Sequence, residues 1–581
     1  MLRLAIGLLL TVAGSACSAS AVPSGARPAP APPLAAGSLQ QPYAAQPAKH
    51  PGGTVVIGHP QFPVTLSPLF PGGTAATAVE NLLFAGLLGL DPNLGWYPDL
   101  ASQVPQAPLV GPGDVTYRIR PGLHWSDGAP IDADDVIYTW QLVTGPNNPF
   151  PSSADGYNRI ASVERRSDLE LVLHFKEPYP AYPLLFGGVL PKHRLLSLDL
   201  TRLVLDPYWS HPDVVSGPFQ ISELASGDHI TLVRNPHYGD GRDGTVPAAH
   251  PAYLDRVVFR AYPSRSALLA ALKAGEVQVG MGLGERDLDT VSAMSNVVLR
   301  VLPELQYEQV TFNRADPNPV TGKGPLWAGD PELLRALDLS LDRPALIAGP
   351  LRGRAPAATS PIGPAQSWAQ DTALPARAYD PRQAEQILDA DGWARGSDGI
   401  RVKSGRRLSF VLSTNNGNPL RAHEEELMVA GWKRVGVEAK LQNFPTDTLF
   451  ASLDAGGVLA AGRFEAALWA WVLPPDPDAD FGLFHSSQIP TAANHGSGSN
   501  YSRCQDPRID SALAEGRAGY DQARRSAAYR AFQEAYLTAR CELPLYRHLD
   551  VAAVSPRLHN YAAHPAPVGD TWNAADWWID P

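Results

Sequence analysis

The chain has 581 residues, and 47 Lys and Arg against 58 Asp and Glu leave a formal charge of −11, which disfavours nucleic acid because phosphate binding wants a basic surface. Hydrophobic residues at 44% and charged residues at 18% are ordinary globular usage, so the chain can bury cores, and its length predicts roughly three or four domains or lobes. Three cysteines exclude a disulfide scaffold, and 57 prolines beside 51 glycines argue against a mostly helical bundle.

Arg3, the apolar run from Leu4 to Ala13 and the small residues Gly14-Ser15-Ala16 read as an export signal too short to span a membrane. Cys17, directly after them, resembles the acylated cysteine of a bacterial lipoprotein lipobox, with Gly14 standing where Leu, Val or Ile is usual. A signal peptide over 1–16 and lipidation at Cys17 are therefore expected, with plain secretion as the alternative. Residues 17–51, rich in Ala, Pro, Gly and Ser, read as a flexible tether. In an oxidising compartment Cys504 and Cys541 remain as a pair, either a structural disulfide or two separately buried thiols.

From Gly53 onward β-like and helical runs alternate. Strands are predicted at Thr54 to Gly58, Asp114 to Arg120, Glu170 to Phe175, Ile230 to Arg234, Val257 to Tyr262, Arg407 to Ser413 and Val437 to Gln442. Helices are predicted at Ala75 to Leu88, Asp132 to Val143, Pro331 to Leu341, Pro381 to Ala390, Arg421 to Val435 and Arg524 to Ala539. A further helix, Ser266 to Ala274, is closed by Gly275. The mixture is α/β or α+β, with no repeat at a fixed period.

The run Thr116-Tyr117-Arg118-Ile119-Arg120-Pro121-Gly122-Leu123-His124-Trp125-Ser126-Asp127-Gly128-Ala129-Pro130, continuing through Asp132 to Val136, is a strand, a Pro-Gly turn, an Asp-Gly turn and a capped helix. It strongly resembles the signature of the family-5 extracellular solute-binding proteins, the peptide-, dipeptide- and nickel-binding components of ABC importers. Thr65-Leu66-Ser67-Pro68, Tyr97-Pro98-Asp99-Leu100, Pro191-Lys192-His193, Ser216-Gly217-Pro218-Phe219, Tyr379-Asp380-Pro381 through Trp393, and Leu543-Pro544-Leu545-Tyr546 resemble further family segments in the expected order. The resemblance spans residues 52–581. It implies an α/β bilobed clamshell of the large class with an additional domain, ligand held between the lobes and crossing strands as hinge. By matching segments, lobe I takes 52–85, 210–312 and 541–581, the inserted domain 86–209, and lobe II 313–540.

The resemblance also marks a candidate pocket. In peptide-binding relatives the loop equivalent to Leu468-Trp469-Ala470-Trp471-Val472-Leu473-Pro474-Pro475-Asp476-Pro477-Asp478 pairs its backbone with an extended ligand. There an aspartate three residues before the acidic-Pro pair holds the ligand's free amine. Leu473 occupies that position here. Either the ligand lacks a free amine, or another acid, such as Asp476 or Asp478 after a shift in register, supplies the charge. Trp469 and Trp471 are candidates for stacking on the ligand, one of them facing the core because strands alternate. By position Gly73, Thr74, Phe150 and His548 match cleft residues, Asn313 matches a strand-ordering asparagine, and Trp572, Trp577 and Trp578 read as packing.

Catalytic patterns fail. His423-Glu424-Glu425-Glu426-Leu427 lacks the second histidine of a zinc protease. Asp476, Asp478 and Asp480 open like a calcium loop, but Phe481 stands where glycine is needed and Ser487 where the bidentate glutamate belongs. Gly496-Ser497-Gly498-Ser499-Asn500 is no nucleophile elbow, and the chain has no phosphate-binding P-loop. The expectation is a monomeric, non-enzymatic protein that binds an oligopeptide or peptide-like ligand, lipid-anchored on the extracytoplasmic face of the cell membrane and serving ABC permease subunits, with no cofactor or metal and no nucleic-acid partner. The alternative is an envelope regulatory or scaffolding lipoprotein using the same fold.

Overall fold

The computed structural model describes residues 43–69, 72–107, 113–145, 156–196, 206–242 and 250–581. Cys17, Phe150 and the signal peptide lie outside the described residues. Among the described residues ten strands form one sheet: β1 (Thr54–His59), β2 (Phe219–Ala225), β3 (His229–Arg234), β4 (Arg256–Ala261), β5 (Val279–Leu283), β6 (Val298–Phe312), β7 (Ser409–Ser413), β8 (Glu438–Leu441), β9 (Ala466–Val472) and β10 (Glu542–Val554). Their order is β8-β7-β9-β6-β10-β5-β1-β4-β3-β2.

Two strands are long because they serve both halves of the sheet. Residues 298–303 of β6 pair antiparallel with 549–554 of β10, whose far side pairs with β5. Beyond a break in register, residues 307–311 of β6 pair with 542–547 of β10, while residues 306–312 also pair with β9. Between Pro303 and Tyr307 three residues of β6 face one residue of β10, His548. The chain thus crosses between halves at a wide bulge.

Each half has its own core. Val55 and Ile57 of β1, Leu82 of helix α1 (Gly73–Leu83), and Val115, Trp125 and Leu173 of the intervening segment belong to one cluster. Phe312, Trp327, Phe410 and Trp432 centre the other, with ring centroids 4.9 to 6.4 Å apart. Burying each such ring contributes up to about 3 kcal/mol before ordering costs.

The family-like signature builds the joint between the first half and a three-stranded sheet of Asp114–Arg118, Glu170–Phe175 and Ile160–Arg165. Gly122 and Gly128 sit at φ of 80° and 87°, the left-handed values their turns require. Asp132 and Asp135 form a capping box on helix α2 (Ala133–Thr144). The Asp135 carboxylate also accepts from Trp125 Nε1 at 3.1 Å and from the Lys192 amide at 2.8 Å. The Ser126 amide and hydroxyl exchange bonds with Val215 at 2.9 and 3.0 Å, tying this turn to the main sheet.

The first predicted helix is shorter than expected. It ends at Leu83 instead of Leu88, because the Leu83 carbonyl accepts the Ser216 and Gly217 amides and Ser216 Oγ accepts the Ala85 amide. A Cβ on Gly217 would lie 2.5 Å from the Leu83 carbonyl carbon, so only glycine permits that approach. The strand expected from Arg407 is broken at Leu408.

Candidate ligand-binding cleft

The bulge between Pro303 and Tyr307 leaves Glu304, Leu305 and Gln306 without partners on β10. Leu305 is instead held from both sides of the sheet, donating to the Pro565 carbonyl at 2.9 Å and accepting from the Leu473 amide at 2.8 Å. The segment after β9 and the C-terminal segment therefore meet at the crossing point. Two adjoining cavities open there, of about 340 Å³ and about 290 Å³. Ala566 and Pro567 line both.

The larger cavity lies over the crossing strands. His59, Thr74, Met281, Glu304, Val472 and Asp550 are among its walls, with His564 and Asp570 from the C-terminal segment. Burial lowers His59 and His564 to about 4, so both are neutral at pH 7. Burial raises Glu304 to about 7 and lifts Asp550 and Asp570 above the usual carboxylate range. The smaller cavity is aromatic: Trp96, Tyr97, Tyr238 and Trp572 face Pro474 and Pro475.

Behind the bulge sits a charged chain that sequence reading missed. His548 Nε2 lies 2.9 Å from Glu308 Oε2, and its Nδ1 lies 3.3 Å from Glu285 Oε1. Arg421 Nε and Nη2 donate to Glu308 at 2.8 and 3.2 Å, and Glu308 is 1% exposed. Burial opposes the imidazolium, yet the two carboxylates overcome it and raise His548 to about 10. Burial also works against the Glu308 charge, but Arg421 and His548 hold that carboxyl below its ordinary range. Glu285 belongs beside β5, Arg421 to helix α3 (Pro419–Arg434), so the chain links the two halves through the crossing strands.

The residues expected in the pocket are scattered. Thr74 lines the larger cavity, 3.4 Å from His59 Nε2, while Gly73 begins helix α1 at φ 75°. Trp469 is 1% exposed and packs against Phe464 and Trp471. Trp471 is half-buried, stacked on Tyr501 at 5.7 Å, and its Nε1 donates to Glu542 at 3.2 Å. Ala470 between them is also half-buried. The side chain facing the larger cavity from this strand is Val472, 57% exposed. Leu473 is buried in an apolar cluster with Leu90, Leu305, Tyr307, Ala358 and Ala566.

Several of the expected residues have partners within the protein. Asp476 Oδ1 accepts from Arg525 Nη2 at 2.6 Å, and Asp478 accepts from Arg517 Nε and Nη2 at 3.0 and 2.8 Å. Both carboxylates are thus paired with arginines within the chain. His548 is paired with Glu285 and Glu308. Trp572 packs against Tyr97 and His564, and it also lines the aromatic cavity. Asn313 behaves as a strand-ordering residue, its Nδ2 donating to the Gly462 and Phe464 carbonyls at 2.7 and 2.8 Å. Cys504 and Cys541 are joined in a disulfide, with Cα atoms 5.5 Å apart. The signal for Glu304, Glu308 and Asp550 was present: ionisable residues in mid-strand among apolar neighbours.

A clamshell whose halves are joined by crossing strands, with cavities at the junction, is the architecture of a binding protein. Residues 97–491 match the profile of the bacterial extracellular solute-binding proteins, family 5, and the chain belongs to that family. It is 26% identical to the oligopeptide-binding protein AppA of Bacillus subtilis over 91% of this chain and 92% of the relative. The structure of that AppA in complex with a nonapeptide superposes with a TM-score of 0.71 at 25% identity, covering 92% of this chain and 100% of the other. NikZ from Campylobacter jejuni, in complex with Ni(L-His), shares the fold with a TM-score of 0.72 at 24% identity, over 90% and 99% of the two chains. The family comprises binding proteins and not enzymes, and members work outside the cytoplasm. Among the described residues no helix is long and apolar enough to cross a membrane.

Proposed function

We propose that this chain captures an oligopeptide or peptide-like ligand between its lobes and delivers it to the permease of an ABC importer. The observation that carries the reading is the pair of adjoining cavities at the bulge, where the two long strands exchange partners between the halves. Lobe I takes residues 52–85, 210–312 and 541–581, the inserted domain 86–209 and lobe II 313–540. Closure completes contacts from the second lobe, so ligand shifts the open and closed populations by its extra affinity for the closed state. The protein works as a monomer, lipidated at Cys17 and held by the tether at the outer membrane face. The peptide-binding names of its relatives support the ligand class.

The test uses the secreted chain carrying Cys17→Ser. Mass spectrometry identifies molecules released on denaturation, and small-angle scattering is recorded with and without saturating amounts of them. A contraction on rebinding is expected. Unchanged scattering with ligand bound would refute lobe closure, and a released molecule of unrelated chemistry would refute the peptide reading.

A further inference from the structure

The signature turns carry a histidine whose ring the fold leaves without a hydrogen bond on one side. His124 stands between the buried Leu123 and Trp125, and its backbone bridges Pro130. Its Nδ1 is sealed from solvent and makes no hydrogen bond, although it lies 3.3 Å from Asp240 Oδ2. The same carboxylate oxygen lies 2.9 Å from His237 Nδ1. Two imidazole nitrogens from two loops thus converge on one oxygen, and the three ligand atoms all lie within 4.8 Å of one another. Among the described residues no other three histidine, cysteine or acidic side chains meet in this way. His174 and His548 also meet two acids, but each turns opposite ring nitrogens to opposite carboxylates, as an ion-pair chain requires.

Both loops are fixed behind these side chains. The fully buried Asn235 donates from its amide to the Pro218 carbonyl at 3.0 Å and from Nδ2 to the Gly217 carbonyl at 2.9 Å, and its Oδ1 accepts the His237 amide at 3.0 Å. At the other end of the turn Arg242 Nε donates to the Tyr238 carbonyl at 2.9 Å, and Nη1 pairs with Asp99. Gly241, at φ 65°, meets the signature backbone so closely that a Cβ would fall 2.4 Å from the Pro121 carbonyl oxygen. The donors are placed before an ion arrives, which lowers the ordering cost of binding.

Around an ion with bonds of about 2.0–2.1 Å, tetrahedral ligand atoms stand about 3.3 Å apart and adjacent octahedral ones about 2.9 Å. The two nitrogen–oxygen distances, 3.3 and 2.9 Å, match those edges. Two imidazoles with one carboxylate suit zinc and neighbouring divalent transition metals, whereas magnesium and calcium prefer oxygen. A sealed nitrogen without a hydrogen bond is costly, and a shared cation removes that cost. The three side chains are 36%, 37% and 43% exposed, which leaves an entry path from solvent and room for water as a further ligand.

We propose that His124, His237 and Asp240 form a three-ligand site for a divalent transition metal of the zinc type, which clips the signature turn to the loop after β3. None of the three lines either cavity, so the site stands apart from the cleft and does not depend on the peptide reading. His124 is far in sequence from the other two ligands, and no motif announces the site.

The experiment is calorimetry with zinc chloride at pH 7.5 on the Cys17→Ser chain, stripped of metal on a chelating resin. Cys504 and Cys541 are joined in the disulfide and offer no competing thiol. One equivalent of zinc is expected to bind and to raise the melting temperature. His124→Gln, His237→Gln and Asp240→Asn are each expected to weaken binding about a hundredfold or more, since even an outer-shell partner is worth tenfold to hundredfold. His174→Gln is expected to bind as wild type. X-ray absorption at the zinc edge of the chain with all three ligands present is expected to show two imidazoles. No heat with zinc, equal affinity for magnesium, zinc bound by oxygen alone, or undiminished affinity in any of the three ligand variants would overturn the site.

Discussion

Replacing His548 by Gln removes the cation that lies between Glu285 and Glu308. In the folded chain His548 titrates near 10, against 6.5 for a free imidazole. That difference corresponds to about 5 kcal/mol of preference for the charged form. Arg421 remains to neutralise Glu308 after the substitution, so the expected loss at pH 6.5 is smaller, about 3 kcal/mol, at the low end for breaking a buried ion pair. Because the folded value is raised, this stabilisation is complete below about 6.5 and disappears as pH climbs through about 10. Because the urea slope grows with chain size beyond the ~1–3 kcal/mol/M of small proteins, urea titrations of wild type and His548→Gln at pH 6.5, 8 and 10 would show midpoints about 0.5 M apart at the lowest pH and converging at the highest. A gap of equal size at all three pH values would refute the argument, since it would mean that the ring's shape and packing matter and its charge does not.

Two further outcomes follow from the second half of the molecule. The bond between Cys504 and Cys541 closes a separation of 37 residues, which by loop-closure entropy amounts to about 4 kcal/mol. Unfolding with and without reductant should differ by about that amount, a difference absent from the Cys504→Ser, Cys541→Ser double variant; a change below about 1 kcal/mol would count against a structural role. Leu473→Asp restores the residue type that holds the amine in peptide-binding relatives, but here it enters a cluster where Leu473 is 2% exposed. It should cost about 3–5 kcal/mol in stability with no gain in affinity for free-amine peptides, and a stable variant with tighter amine binding would overturn that placement.

What the sequence discloses and what it conceals divide along a physical line. Segments whose structure is decided by neighbours in the chain were legible: the Gly122 and Gly128 turns, the Asp132 cap, and the helix from Pro381 to Ala390, all set by turn chemistry or capping. The helix ending at Leu83 was misjudged because Ser216 and Gly217, more than 130 residues away, end it. The same distance hid the charges. Asp476 and Asp478 look available in their own loop, and only the packing of Arg517 and Arg525 from the helices spanning 507–539 uses them up.

The cleft carries this to its limit, since β1, α1, β6, β9, β10 and the C-terminal segment each contribute to it. The family frame leads one to expect the hinge at the two long strands, which carry the chain between the halves. It does not locate the charge. Register between β6 and β10 is lost for three residues, and the loss turns Glu304 from a strand residue into a group that projects into the cavity. A closing motion that alters the crossing of β6 and β10 would act directly on that carboxylate. The crossing of β6 and β10 and the wall of the larger cavity are therefore one element.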